Sequence, residues 1–340
     1  MTASSHAPLL RVLDFWHNSF DDIIGNNPKE LTAAVAAQFG TASLAGELPE
    51  DATVDSNEEE EVVVSTLKVL ASVAQGYQLR GDTEKLKFPL NVEFEGKLIL
   101  AGETEHEIKE GLTFTVAGPM KAELEKLQKD HDKWLKAHEN KKDAGAALAA
   151  YVDASVPNLS SIVVLAKVED KQILLTGDAR GDKILKGLKE IGMLKPGGKM
   201  HVDILKVPHH GSSNNLDNDF FERITADHYV ISGDGEHGNP ERESIEMLFK
   251  ARGKAKFALH LTYSIDEIDV LRKEDWEKEQ NKEKKKHANG SSKKPRPNWS
   301  AAEHSLAAFF EKNPLAKGQK IHTVDETKPH VIDLLDPIGF

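Results

Sequence analysis

Two short stretches of the chain carry residue types that can do chemistry. The first is Leu175-Thr176-Gly177-Asp178, where a carboxylate closes an apolar strand. A lone Gly-Asp pair at such a place most often just caps the next helix. The second is Pro208-His209-His210-Gly211-Ser212, directly after the strand HVDILKV (201–207). Adjacent imidazoles leaving a strand end must point in different directions, so they suit two different roles. Pro208 stiffens the approach and Gly211 permits a sharp turn. One crossover helix between parallel strands would bring Asp178 and His210 to the same sheet edge. A carboxylate and an imidazole at one edge make half of a metal site.

The elements that must position these residues alternate between strand and helix. Apolar runs predict strands at 161–168, 171–177, 201–207, 227–233 and 256–263, with helices at 181–194, 217–225 and 240–252. That order predicts a layered α/β (α+β) domain. Further strands are predicted at 9–16, within 86–118 and at 330–335, and helices at 28–39, 62–75, 119–150 and 301–312. His131 and His138 lie on an otherwise polar helix face and read as surface histidines. Residues 266–299 are charged, poor in apolar groups and end in Gly, Ser and Pro. They predict a frayed helix leading into a disordered insertion that the fold can spare. The expected organisation is one domain over 1–265, interrupted at 266–299 and completed by 300–340.

Composition narrows the classes. The formal net charge of −12 argues against an overall affinity for nucleic acid or anionic membrane. The basic tail within 272–296 gives only weak support for a nucleic-acid partner. The absence of cysteine excludes disulfides, thiolate metal sites and thiol nucleophiles, so any metal must use His, Asp or Glu. The N-terminus lacks the basic start and apolar run of a secretory signal, and no apolar stretch approaches the roughly 18 residues of a membrane span. A cytoplasmic protein with no membrane contact is the expectation.

LTGDA, with VDILKVPHHGS downstream of it, resembles the metallo-β-lactamase superfamily, in the branch containing the soluble domain of competence-type DNA-uptake proteins. Asn158-Leu159-Ser160-Ser161, VISGDGEHGNP (230–240) and LDFWHNSF (13–20) look like further segments of that branch. The resemblance covers about residues 9–263 and implies a four-layer αββα sandwich with two metal ions, usually zinc, at one edge. It implies that Asp178 and His210 are metal ligands, that His209 faces substrate, and that His237 is a substrate contact or proton donor. The implied reaction is hydrolysis of a phosphate ester or phosphodiester by a hydroxide held between the metals. The family's HxHxDH motif, which supplies its first ligands, occurs nowhere in this sequence. The segment 13–20 looks like the strand and turn immediately downstream of that motif in the family, so the chain is expected to lack the sandwich's first strands. The alternative to a hydrolase is a non-catalytic remnant or binding protein of the same fold.

Overall fold

The structure is a computed structural model, and it describes residues 11–18, 79, 81–125, 161–290, 292–324 and 327–335. The helices expected at 28–39 and 62–75, most of the one at 119–150, His131, His138 and Asn158-Leu159-Ser160 lie outside the described residues. The chain divides into two compact units. One comprises 1–100 and 121–160, the other 101–120 and 161–340.

In the first unit, two segments are clamped by side chains. Asn91 accepts a hydrogen bond from His17 N and donates to the carbonyls of His17 and Lys97. Asn18 does the same with both backbone groups of Ile99. Asp14 accepts from the backbone of Val92 and Glu93 and from Trp16 Nε1. Phe15 and Leu90 form an isolated bridge, and no longer strand occurs over 11–16 or 86–99. Short polar side chains that bind nearby backbone here replace the predicted ladder.

The second unit is built on one sheet of eight strands arranged in chain order. β1 (Glu105–Lys109), β2 (Leu112–Gly118), β3 (Val163–Val168) and β4 (Lys171–Leu175) are antiparallel neighbours. From β4 onward β5 (Met200–Lys206), β6 (Ile224–Ile231), β7 (Phe257–Leu261) and β8 (Gln319–Thr323) pair in parallel. The helices α1 (Gly181–Glu190), α2 (Asn218–Arg223) and α3 (Arg242–Arg252) connect the parallel strands. Between β7 and β8 run α4 (Ile265–Ala288), α5 (Ala301–His304) and α6 (Leu306–Lys312). The fold is therefore mixed α/β, with helices flanking an eight-stranded sheet. Side chains alternate between the faces of a strand, and one set, including Val163, Leu165, Leu174, Leu205, Leu259 and Leu261, forms the core with Leu188, Phe220, Ile245 and Leu306 of the helices. Among the described residues no helix is long and apolar enough to cross a membrane.

α1 packs on the sheet through a missing side chain. A Cβ on Gly187 would stand 1.8 Å from the carbonyl oxygen of Ala117 in β2. Ala is ordinarily the better helix former by about 1 kcal/mol. Here Gly187→Ala is expected to reverse that preference and destabilise by about 2 kcal/mol, because backbone must move apart from backbone. A urea midpoint equal to or above that of the parent chain would refute this packing.

The region expected to be disordered is ordered through Ala288 and again from 292. α4 is a 24-residue helix opened by a capping box, with Ser264 Oγ accepting from Glu267 N and the Glu267 carboxylate accepting from Ser264 N at 2.9 Å. The returning segment is fastened to its flank. Trp276 Nε1 donates to Pro297 O, Gln280 Nε2 donates to Arg296 O, and Glu283 binds the Arg296 guanidinium at 3.0 Å. The apolar-poor composition misled because these anchors are polar: Arg272 and Gln280 are among its few buried residues. Two other expectations also change. Ser305 breaks the helix at 301–312 by capping α6 through Ala308 N, and residues 330–335 form no strand. The last strand of the sheet is β8.

Candidate functional site

The loops after β4 and β5 meet at one end of the sheet, because those strands run parallel with Ile173 opposite Ile204 and Leu174 opposite Leu205. Three hydrogen bonds lock them together. Thr176 Oγ1 donates to Lys206 O at 2.7 Å, His209 N donates to Gly177 O at 3.1 Å, and Lys206 Nζ reaches the same oxygen at 3.3 Å. Lys206 is part-buried, and burial lowers its ammonium below the ordinary value while nearby Asp178 pulls the other way.

The PHHGS turn is held in a costly conformation. His209 (φ 48°), His210 (φ 55°) and Gly211 (φ 83°) are all left-handed. Only the glycine adopts that region freely, so the two histidines store backbone strain. The strain places His210 Nε2 3.5 Å from Asp178 Oδ1. The ring's other nitrogen, Nδ1, lies against the carbonyl oxygen of Ser232, at the end of β6. A carbonyl can only accept, so a proton on Nδ1 faces Ser232 O and Nε2 is left to face Asp178. Nε2 and the carboxylate face each other across a gap that a cation, either a proton or a metal, can fill.

Asp178 and His210, expected from the sequence as ligands, are therefore brought together, and both are about half exposed. Two donors 3.5 Å apart, each about 2.1 Å from a shared ion, subtend about 110°, the angle of tetrahedral zinc. The donated Nδ1–H is also the arrangement that orients ligating histidines. Among the described residues, however, no group of three or more His, Asp or Glu converges on one point. The pair fits two positions of a metal centre and does not complete one.

Of the expected catalytic pair, His209 shares the turn with His210, whereas His237 lies in another loop. His209 is partly buried, its ring 6.3 Å from that of His210, with Nδ1 lacking a hydrogen-bond partner. His237 sits in the turn Glu236–Gly238 and lines a cavity of about 520 Å³ whose described wall includes neither Asp178 nor His210.

That cavity escaped the sequence reading. It opens beside Ser213, which is tied by backbone N–H and hydroxyl to the Glu241 carboxylate at the start of α3. Its far wall is Trp276, Trp299 and His304, in mutual ring contact at 4.1–5.9 Å. Trp276 and Trp299 lie in the segment read as a frayed helix leading into a disordered insertion, and no apolar periodicity there signals them.

No family model matches the chain, and no solved structure matches it. Among curated proteins it is similar to microtubule-associated protein 1A of Rattus norvegicus, Mus musculus and Homo sapiens, in each case 36% identical over 70 residues. That segment is 20% of this chain, and the chain spans about 2% of the length of these relatives.

Proposed function

We propose that the Asp178–His210 edge is the metal-binding edge of a cytoplasmic hydrolase of the metallo-β-lactamase superfamily, acting on a phosphate ester or phosphodiester. The observation that carries this reading is Asp178 Oδ1 and His210 Nε2 facing each other across 3.5 Å, with His210 Nδ1 turned to Ser232 O. The finer architecture, a four-layer αββα sandwich, belongs to the same proposal. It is supported by β7, all five of whose residues are buried, as expected for a strand covered on both faces.

Asp178 and His210 would hold zinc, the remaining ligands coming from outside this pair. A bound metal lowers the pKa of water and stabilises negative charge developing on phosphorus oxygens. The chain's own part is positional. The left-handed turn fixes His210, the Thr176 and His209 hydrogen bonds join the two loops, and Lys206 adds positive charge near Asp178. A second reading, a binding protein of the same fold without catalysis, is favoured by one observation: two donors converge where a catalytic zinc needs about three protein ligands.

Zinc titration of the full chain by calorimetry, paired with a turnover assay, tests both readings. The parent should bind zinc, and Asp178→Asn with His210→Gln should weaken it by at least about tenfold. Zinc binding with hydrolysis of bis-p-nitrophenyl phosphate supports the hydrolase; zinc binding without turnover supports the binding protein. Equal affinity in parent and double variant would sink the site.

A further inference from the structure

We propose that the cavity beside Ser213 binds an organic cation, a quaternary ammonium or guanidinium group carried by a small molecule. The cavity's charge balance comes first. Its wall holds the carboxylates of Glu241, Glu243, Asp275 and Glu279 against the guanidiniums of Arg272 and Arg296. Neither arginine brings net positive charge, because each is paired with a carboxylate outside the wall. Arg272 binds Asp269 at 3.2 Å and Arg296 binds Glu283 at 3.0 Å. Glu241 is engaged by Ser213, and Glu279 by Lys282 at 2.6 Å. Glu243 and Asp275 complete the acidic wall, with Glu243 acting electrostatically on Arg272. An anion placed here would meet like charge, and a cation would meet a wall in which carboxylates outnumber guanidiniums.

The aromatic wall is an independent observation with the same sign. Arg296 stacks 5.0 Å above the Trp276 ring and Arg272 lies 5.7 Å from that of Trp299. Arg296 and Arg272 cover part of these rings, and the indole surface left open to the cavity attracts a weakly hydrated organic cation far better than a phosphate. The volume, about 520 Å³, lies in the range of sites for small organic ligands.

The cavity is continuous with the candidate metal edge along the chain. Ser213 comes directly after the PHHGS turn, and its N–H is held by Glu241 at 2.8 Å. The cation is then the part of the substrate released from the phosphate ester, a clause that rests on the hydrolase reading. A phosphate ester of a cationic alcohol suits this edge, and a polyanion such as nucleic acid does not.

The test uses the full chain in a chelating buffer, so that its result is independent of zinc. Tryptophan emission is followed during titration with choline chloride, with sodium phosphate, and with sodium chloride at matched ionic strength. Choline should give a saturable change that sodium chloride does not. The isosteric pair Glu243→Gln and Asp275→Asn should weaken choline by about fivefold or more while leaving the melting temperature unchanged. Saturation by phosphate but not choline, no change beyond the salt reference, or unaltered choline affinity in the variant would each overturn the proposal. Failure of zinc to bind at Asp178 and His210 would leave this result intact and would overturn only the hydrolase reading.

Discussion

Arg272→Ala is expected to lower the stability of the chain by about 3–5 kcal/mol, the range for breaking a buried ion pair from one side. Arg272 is 6% exposed. Its guanidinium binds Asp269 at 3.2 Å and donates to the carbonyls of Gly238 and His304 at 3.2 and 2.8 Å. Removal would strand Asp269, itself 14% exposed, and both carbonyls. Asp269 also accepts from the backbone of Leu306 and Ala307, so the loss reaches the start of α6. Arg272→Lys keeps the charge but not the fork of donors, and should recover only part of the stability. Urea midpoints of the three proteins measure this. An alanine variant within about 1 kcal/mol of the parent would show that α4 is not anchored through Arg272.

Stability should also fall steeply as the medium becomes acidic, through a row of histidines on the parallel strands. His228 of β6 meets His260 of β7, Nδ1 to Nε2, at 2.9 Å, and His260 Nδ1 meets His330 Nε2 at 2.8 Å. His322 of β8 stacks on His260 at 4.9 Å. Burial, and then the neighbouring imidazoles, push His260 down to about 3, and burial also lowers His228 and His322. Asp227 and Asp203 oppose the shift at His228, while His330 and Lys320 add to it at His322.

The sign is set by which state binds protons. Above the ordinary histidine value of about 6.5 both folded and unfolded His260 are neutral, and the contribution to stability is complete. Below it the unfolded chain gains a proton that the folded chain refuses, so stability declines as pH falls from about 6.5 towards 3. Each pH unit is worth up to about 1.4 kcal/mol for one such group, and His260, coupled to the neighbouring imidazoles, loses its contribution across that window. His260→Gln should be less stable than the parent at pH 7.5 yet lose less on acidification. Parallel pH profiles for the two proteins would exclude His260 as the source.

The strands of the second unit were legible because their signal is local. Apolar runs marked β3, β4, β5 and β7 to within about two residues of their ends, as hydrophobic periodicity should. β6 begins at Ile224, inside what read as helix 217–225, because three residues of apolar sequence there serve either period equally well. The pairing of Asp178 with His210 was also within reach, since two parallel strands joined by one helix leave few ways to arrange their ends.

The anchoring of α4 was not legible. Its anchors Trp276, Gln280 and Glu283 find Arg296 and Pro297 across the tip of the hairpin-like return, and Arg272 finds the carbonyls of Gly238 and His304. Polar residues bury only against particular partners, and composition carries no record of which partners the fold will supply.

Residue type and spacing by themselves determined the alternation of strand and helix, the absence of thiol chemistry and the meeting of a carboxylate with an imidazole at one sheet edge. Only the tertiary structure decided that His210 turns Nδ1 to Ser232 O and Nε2 to Asp178, that three histidines line up across neighbouring strands with His330 beside them, and that two tryptophans wall a cavity beside Ser213. The physical reason is common to all three. Periodicity is written in neighbouring residues, whereas a hydrogen-bond partner, a ring stack or a cavity wall is set by residues 20 to 90 positions apart, whose approach only the folded backbone fixes.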